Sequence, residues 1–394
     1  MKTNWVELIL KPGKEKSLQR FHPWVFSGAV SKTKGNPEEG DLVKVFAADG
    51  RFLATGHYQP DSIYVRILSF EDIEINREFW FNRLNNALQS RLTFIDCDNT
   101  NVFRLIHGEG DYLPGLIVDI YSDVAVIQAH SVGMYRAMPE IAEVLMTLPG
   151  LRISSVYNKS TSTVPSRWKD KASDGFLIGS SPMPVVVTEN GLKFNVNPVL
   201  GQKTGFFIDQ RENRALLATY AKGKRVANLF SYTGGFSVYA MAAGATEVFS
   251  VDASQPALEL AGENAALNDF SKQHVALNMD IVRQTSELPG TFDIMVVDPP
   301  AFAKHTGHRT NAIKAYARLN AAVMEKMNPG GLMFTFSCSQ AVSRDDFRSA
   351  IYSAALQAGK QVRILHMVTQ GPDHPVNIFH PEGEYLKGLV VQVG

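Results

Sequence analysis

At 394 residues the chain is too long for one ordinary domain, so two or three are expected. With 45% apolar and 20% charged residues the composition is that of a globular protein, which excludes a chain dominated by disorder. Its 39 basic residues are matched by 39 acidic ones, so any surface for a polyanion must be local.

Two cysteines, Cys97 and Cys338, make neither a disulfide framework nor a cysteine metal site, and free thiols suit a reducing cytosol. The histidines show no metal-ligand spacing, so no metal is expected. The amino terminus has no apolar core of a secretion signal, and no stretch approaches the roughly 18 apolar residues that span a bilayer. The expectation is a soluble cytoplasmic protein.

Residues 1–75 read as short strands over 43–46, 52–56 and 63–68, a spacing that suggests a small β-barrel. The first thirty residues carry Lys2, Lys11, Lys14, Lys16 and Arg20 against Glu7 and Glu15. Residues 76–185 mix helix and strand. Phe79, Trp80, Leu84, Ala87, Leu88 and Leu92 recur at a helical period over 77–92. A hairpin is expected over 102–121, punctuated by Gly108, Gly110, Pro114 and Gly115, then a strand over 124–129 and a helix over 138–146. A polar, proline-containing stretch over 160–184 leads to a boundary near 185.

Over 186–394 strands and helices alternate. Strands are expected at 225–230, 247–252, 274–279, 292–298, 332–337, 361–368 and 385–393, with helices at 236–243, 255–267, 312–327 and 344–358. This alternation implies a parallel doubly wound α/β sheet. Such sheets bind ligands at the carboxyl ends of their strands.

Three strand ends there make a ligand site. Asn228-Leu229-Phe230-Ser231-Tyr232-Thr233-Gly234-Gly235 runs from the first strand into a helix, and Gly234 and Gly235 would let backbone approach a ligand. Asp252 ends the next strand, about 20 residues on, where a carboxylate meets ribose hydroxyls. Asp280 follows the third strand, where it would meet an adenine amino group. Each aspartate alone reads equally as a helix cap. The pattern is not GxGxxG, so a nicotinamide oxidoreductase is disfavoured.

Two further strand ends carry reactive groups. In Val297-Asp298-Pro299-Pro300-Ala301-Phe302 the proline pair stiffens the loop and fixes Asp298 at the strand tip. Alanine rather than an aromatic follows the prolines, which argues against methylation of an exocyclic nitrogen. Ser337-Cys338-Ser339 ends the next strand, where a partly exposed thiol can react. Cysteine alone reads as a small buried residue; beside Asp298 it reads as a nucleophile. A thiolate adding at carbon 6 of a pyrimidine makes carbon 5 enamine-like, and a carboxylic acid at N3 stabilises the adduct when the base is cytosine. From Pro299 to Met324 no acidic residue occurs, while Lys304, His305, His308, Arg309, Lys314 and Arg318 do, a run suited to RNA phosphates or to a solvated helix face.

With these residues in place, the chain resembles the bacterial ribosomal RNA large subunit methyltransferase I family of cytosine-C5 enzymes. His22-Pro23-Trp24-Val25-Phe26-Ser27-Gly28 and Gly56-His57-Tyr58-Gln59-Pro60 look like its RNA-binding PUA domain, and 103–116 is similar to its central domain. Gly201-Gln202-Lys203-Thr204-Gly205-Phe206-Phe207-Ile208-Asp209-Gln210-Arg211 looks like the entry to its class I, Rossmann-like methyltransferase domain. Pro381-Glu382-Gly383-Glu384-Tyr385-Leu386-Lys387 looks like its carboxy-terminal signature. The resemblance implies a PUA domain over 1–75, a linking domain over 76–185 and a methyltransferase domain over 186–394. It implies S-adenosylmethionine as cofactor, enclosed by Phe207, Gln210, Asn228, Phe230, Tyr232, Thr233, Gly234, Gly235, Asp252, Asp280 and Asp298, with Arg211 holding the loop. Cys338 would be the nucleophile, 23S rRNA the partner through Lys304, Arg309, Lys314 and Arg318, and homodimers are common in the family. Two other readings stand beside it: a uridine-C5 enzyme, and a non-catalytic ribosome-assembly factor.

Overall fold

The computed structural model describes residues 5–303 and 306–394. Lys2, Lys304 and His305 therefore lie outside the described residues. The chain divides into two compact units.

The first unit comprises Met1–Asn190, Val196–Phe206 and Pro372–Gly383. Its amino-terminal part is a six-stranded mixed sheet that includes Val6–Leu10, Leu42–Phe46, Phe52–Tyr58 and Ile63–Ser69. Strand alternation is plain in Leu42–Phe46, where Val43 and Val45 are buried and their neighbours are only partly so. These valines join Leu8, Leu10, Ala54 and Val65 in one core. Strands not expected from the sequence, Trp24–Phe26 and Val30–Lys34, form the sheet's edges. Both are short and one is polar, which hides their periodicity.

The next part is a five-stranded sheet packed against the helices Arg77–Arg91 and Val132–Leu145. Strands Val102–His107 and Leu116–Tyr121 pair antiparallel as the expected hairpin. The second helix begins six residues before its expected start. Ser131 is its cap, accepting from the Met134 N–H, and Pro139 lies inside it.

Buried charges hold this unit together. The Arg91 guanidinium donates to both oxygens of Asp111 at 2.7 and 2.6 Å, and Arg104 donates to both oxygens of Asp119 at 2.7 and 2.8 Å. The segment 372–383 enters the same network: Asp373 accepts from the Arg104 N–H and contacts the His374 ring. Bidentate geometry is what makes buried charge tolerable, because removing one partner leaves the other unpaired in a low dielectric.

The second unit comprises Gly191–Asn195, Phe207–Gly371 and Glu384–Gly394. Its seven-stranded sheet runs in the order His274–Asn278, Glu247–Asp252, Arg225–Leu229, Phe292–Val297, Met327–Ser337, Lys387–Val393, Val362–Val368. The first five are parallel, as expected. The last two correct that expectation, because Lys387–Val393 inserts antiparallel between Met327–Ser337 and Val362–Val368. No α-helix connects 368 to 387, and a parallel return needs such a crossover. Strand Met327–Ser337 starts five residues before its expected start, since the Pro-Gly-Gly turn residues 329–331 are held in a bulge. Helices Arg309–Met324 and Arg344–Ala358 bury Tyr316, Val323 and Phe347 on the sheet. The reversal point of the strand order places the ends of Arg225–Leu229 and Phe292–Val297 side by side, in register at Leu229 and Val297.

Candidate active site

The loop after Arg225–Leu229 is the most contorted segment near the sheet. Phe230, Tyr232 and Gly234 all take positive φ, at 58°, 46° and 77°. A bulky residue in that region costs of order 1–3 kcal/mol, so the surroundings must impose it. Ser231 N–H donates to Val251 O, and Tyr232 N–H donates to Asp252 Oδ2 at 2.9 Å. The Asn264 amide donates to Thr233 O. The glycines serve packing here: a Cβ on Gly234 would stand 2.9 Å from Ala261, and one on Gly235 would stand 3.1 Å from Arg214. Helix and arginine, rather than open space, set that requirement.

Asp252 accepts from two backbone N–H groups, of Tyr232 and Ser254, both at 2.9 Å. A carboxylate has about four acceptor sites, so capacity remains for hydroxyl donors. The Ser231 hydroxyl is buried and has no partner among the described residues. These two groups at adjacent strand ends suit a ribose-bearing ligand. Asp280 caps the short helix Ile281–Gln284, accepting from Val282 N–H. Asn228 is buried beneath the loop and donates to Ser237 Oγ, which contacts Ser250.

Four predicted residues meet in two pairs, one of them at the next strand end. The Gln210 amide donates to Asp298 Oδ2 at 2.9 Å. Phe207 meets the Tyr232 ring edge-on, centroids 5.2 Å apart. The chain entering the sheet is braced by Asn213 and Arg214, which sequence reasoning missed, and by Tyr385, which it noted only within the carboxy-terminal signature. Asn213 donates to Gln210 Oε1 at 2.6 Å, Arg214 donates to Phe207 O at 2.9 Å, and Tyr385 donates to Asp209 Oδ2 at 2.6 Å. Asn213 and Arg214 lie in Arg211–Ala218, a helix whose buried polar face breaks the apolar period that would have revealed it.

Cys338 and its neighbours lie at the end of Met327–Ser337. Ser339, fully buried, ties this loop to the one after Asp298. Its Oγ accepts from the Ala303 N–H at 3.4 Å and bonds the Tyr316 hydroxyl at 3.1 Å. Phe302 packs on the Tyr316 ring, centroids 4.7 Å apart. Lys387 is 5% exposed and donates from Nζ to Ser339 O at 2.7 Å. Burial holds the Tyr316 hydroxyl above its ordinary value, and burial also pulls the Lys387 ammonium down. Cys97, by contrast, is an exposed residue whose thiol is pushed up by partial desolvation and by Asp96 and Asp98 beside it, away from reactivity.

The basic stretch divides. Arg309 is bonded twice to Asp346, at 2.8 and 2.6 Å, and that pairing pulls Asp346 down to about 2. Its charge is therefore partly satisfied within the fold. Lys314 and Arg318 are exposed one turn apart on the helix Arg309–Met324.

The first unit exposes aromatics on the segment that begins with cations. Lys11, Lys14, Lys16 and Arg20 are exposed, and Phe21 follows at φ 59° with half its surface in water. Phe21 contacts Phe70 and Phe379, with centroids at 5.3 and 5.4 Å. Trp24 lies among Phe26, His22 and His380, and its indole N–H donates to Glu109 at 2.9 Å.

Residues 8–70 match the model of a PUA-like domain, and residues 104–375 match the model of an S-adenosylmethionine-dependent methyltransferase. The chain is 41% identical to the ribosomal RNA large subunit methyltransferase I of Pseudoalteromonas translucida, over 98% of this chain and 99% of that one. It is 40% identical to the protein of the same name from Vibrio campbellii, over 98% and 99%. Among solved structures, a SAM-dependent methyltransferase from Streptococcus mutans superposes with a TM-score of 0.82 at 23% identity, covering 98% of this chain and all of that one. SMU.776 complexed with SAH superposes at 0.83 and 24%, with the same coverage. At such identities the structures establish the shared fold.

Proposed function

The chain belongs to the ribosomal RNA large subunit methyltransferase I family, and from that premise we propose that it methylates carbon 5 of a cytosine in 23S rRNA through a covalent Cys338 adduct. It is an S-adenosylmethionine-dependent RNA methyltransferase with an amino-terminal PUA-like domain. Among the described residues no helix is long and apolar enough to cross a membrane. Two free thiols accord with action in the cytoplasm.

The observation that carries the finer reading is the Ser339 tie. One hydroxyl couples the loop after Asp298 to the loop bearing Cys338, so an acid and a thiol are presented from neighbouring strand ends. When bound, S-adenosylmethionine supplies an electrophilic methyl group on its sulfonium sulfur. Phe207, Gln210, Tyr232 and Asp252 are the residues suited to hold it. In this reading Cys338 Sγ adds to carbon 6 of the base. Asp298, held by the Gln210 amide, places a proton at N3 and stabilises the adduct. Carbon 5 is then nucleophilic enough to be methylated. Loss of its proton and of the thiolate regenerates the enzyme. A uridine needs no proton donor at N3, and the braced Asp298 favours cytosine.

RNA docking in this reading uses two surfaces, each considered alone. Lys314 and Arg318 contact phosphates on the second unit. On the first, the exposed rings of Phe21, Phe26 and Phe379 stack unpaired bases beside the cations over 11–20.

RNA carrying 5-fluorocytosine tests the mechanism. Fluorine cannot leave as a proton does, so the adduct should accumulate as a protein–RNA band that survives denaturation. Cys338→Ala should abolish it. A band that persists in Cys338→Ala overturns the assignment.

A further inference from the structure

Lys387 opens the strand Lys387–Val393 and stands opposite Ser337, the residue before Cys338. Its Nζ donates to the carbonyl of Ser339, the residue after Cys338. The backbone of Lys387 thus pairs with the residue before Cys338, and its ammonium is bonded to the residue after it. A lysine buried to this degree is rare unless its charge is met.

The charged groups around it identify what meets the charge. Burial favours the neutral amine; Cys338 and Glu384 favour the ammonium, and Arg344 opposes it. Arg344 is paired with Glu384, and both are more than a third exposed, so their effects on Lys387 largely offset in water. Tyr316, from the helix Arg309–Met324, also faces Cys338, but burial keeps its hydroxyl neutral. Of the groups that favour the ammonium, Cys338 is the one that lies between Ser337 and Ser339, the two residues Lys387 itself meets.

We propose that the Lys387 ammonium is a positioning residue that holds Cys338 as a thiolate in the resting enzyme. The S–H proton goes to solvent, and the negative charge on Sγ stays beside Nζ. The inference rests on Cys338 being the nucleophile of the preceding reading. Its consequence is that the enzyme needs no general base to activate the thiol.

The test measures the pH dependence of iodoacetamide alkylation in a Cys97→Ser background, where Cys338 is the only thiol. The parent should react with a half-point below the ordinary thiol value of about 8.5. Lys387→Gln keeps a donor for Ser339 O and removes the charge. It should raise the half-point by about one unit or more, a roughly tenfold loss of thiolate at neutral pH. Lys387→Arg should keep the half-point low. Methyl transfer by Lys387→Gln should recover at high pH as the thiol ionises, which lost folding would not allow. An unchanged half-point in Lys387→Gln, with its melting temperature intact, overturns the inference. If Lys387→Gln does not fold, the arginine variant decides, and a half-point at the ordinary value there overturns it. Separately, full methyl transfer by Cys338→Ala would defeat the nucleophile reading and leave the thiol titration standing as a measurement of its own.

Discussion

The Gln210 amide donates to Asp298 Oδ2 at 2.9 Å while its own oxygen accepts from Asn213 at 2.6 Å. The side chain is locked by a partner at each end, so its NH2 group is fixed toward the carboxylate. Gln210→Leu removes this donor from Asp298. Steady-state kinetics should show kcat falling about 10- to 100-fold, in the range of a lost positioning or acid–base contribution. Gln210→Glu sets two carboxylates together and should be worse at high pH than at low.

Ser339→Ala removes the hydroxyl shared by Ala303 and Tyr316. It takes the acceptor from the buried Ala303 N–H and one of two hydroxyl partners, with Ser337, from Tyr316, a loss of about 1–3 kcal/mol. Denaturant titration should show that loss, and methyl transfer should fall further than stability explains, because the two reactive loops uncouple. Wild-type turnover in the variant contradicts the tie.

Burial pushes His57 and His130 each down to about 4 from 6.5, with nearby arginines adding to the effect. A histidine whose folded value is depressed binds its proton more readily when unfolded. Its neutral form therefore imposes no penalty above about pH 6.5, and stability falls as pH drops from 6.5 toward 4. Each contributes of order 3 kcal/mol of acid sensitivity across that window. Unfolding monitored from pH 7 to 4 should show this slope, and His57→Gln should flatten part of it.

The exposed rings predict a binding defect without a chemical one. Phe21→Ala and Phe379→Ala, made singly, should each raise KM for rRNA about 5- to 150-fold, from about 1–3 kcal/mol per stacked base, and leave kcat unchanged. Lys314→Ala should weaken binding mainly at low salt. A fall in kcat alone would place these rings outside RNA docking.

The alternation of strands and helices over 225–358 was legible because buried parallel strands are continuous apolar runs. Asp298 and Cys338 were legible because the proline pair and the flanking serines mark strand ends. Ser339 and Lys387 were noted only as parts of motifs, with no role of their own, and Asn213 and Arg214 were not singled out. Each acts through a bond to a residue distant in sequence, and no local period encodes such a partner. The antiparallel insertion of Lys387–Val393 was missed for a related reason: periodicity reports a strand, while its direction depends on the connection. The glycines at 234 and 235 were noticed, but their cause lies in Ala261 and Arg214.

The most direct test of the central claim is nucleoside mass spectrometry of unmodified 23S rRNA after incubation with isotopically labelled S-adenosylmethionine and the protein, beside Cys338→Ala. The account predicts labelled 5-methylcytidine from the wild type and none from the variant. Label in 5-methyluridine or on an amino nitrogen, or 5-methylcytidine undiminished in Cys338→Ala, would contradict it.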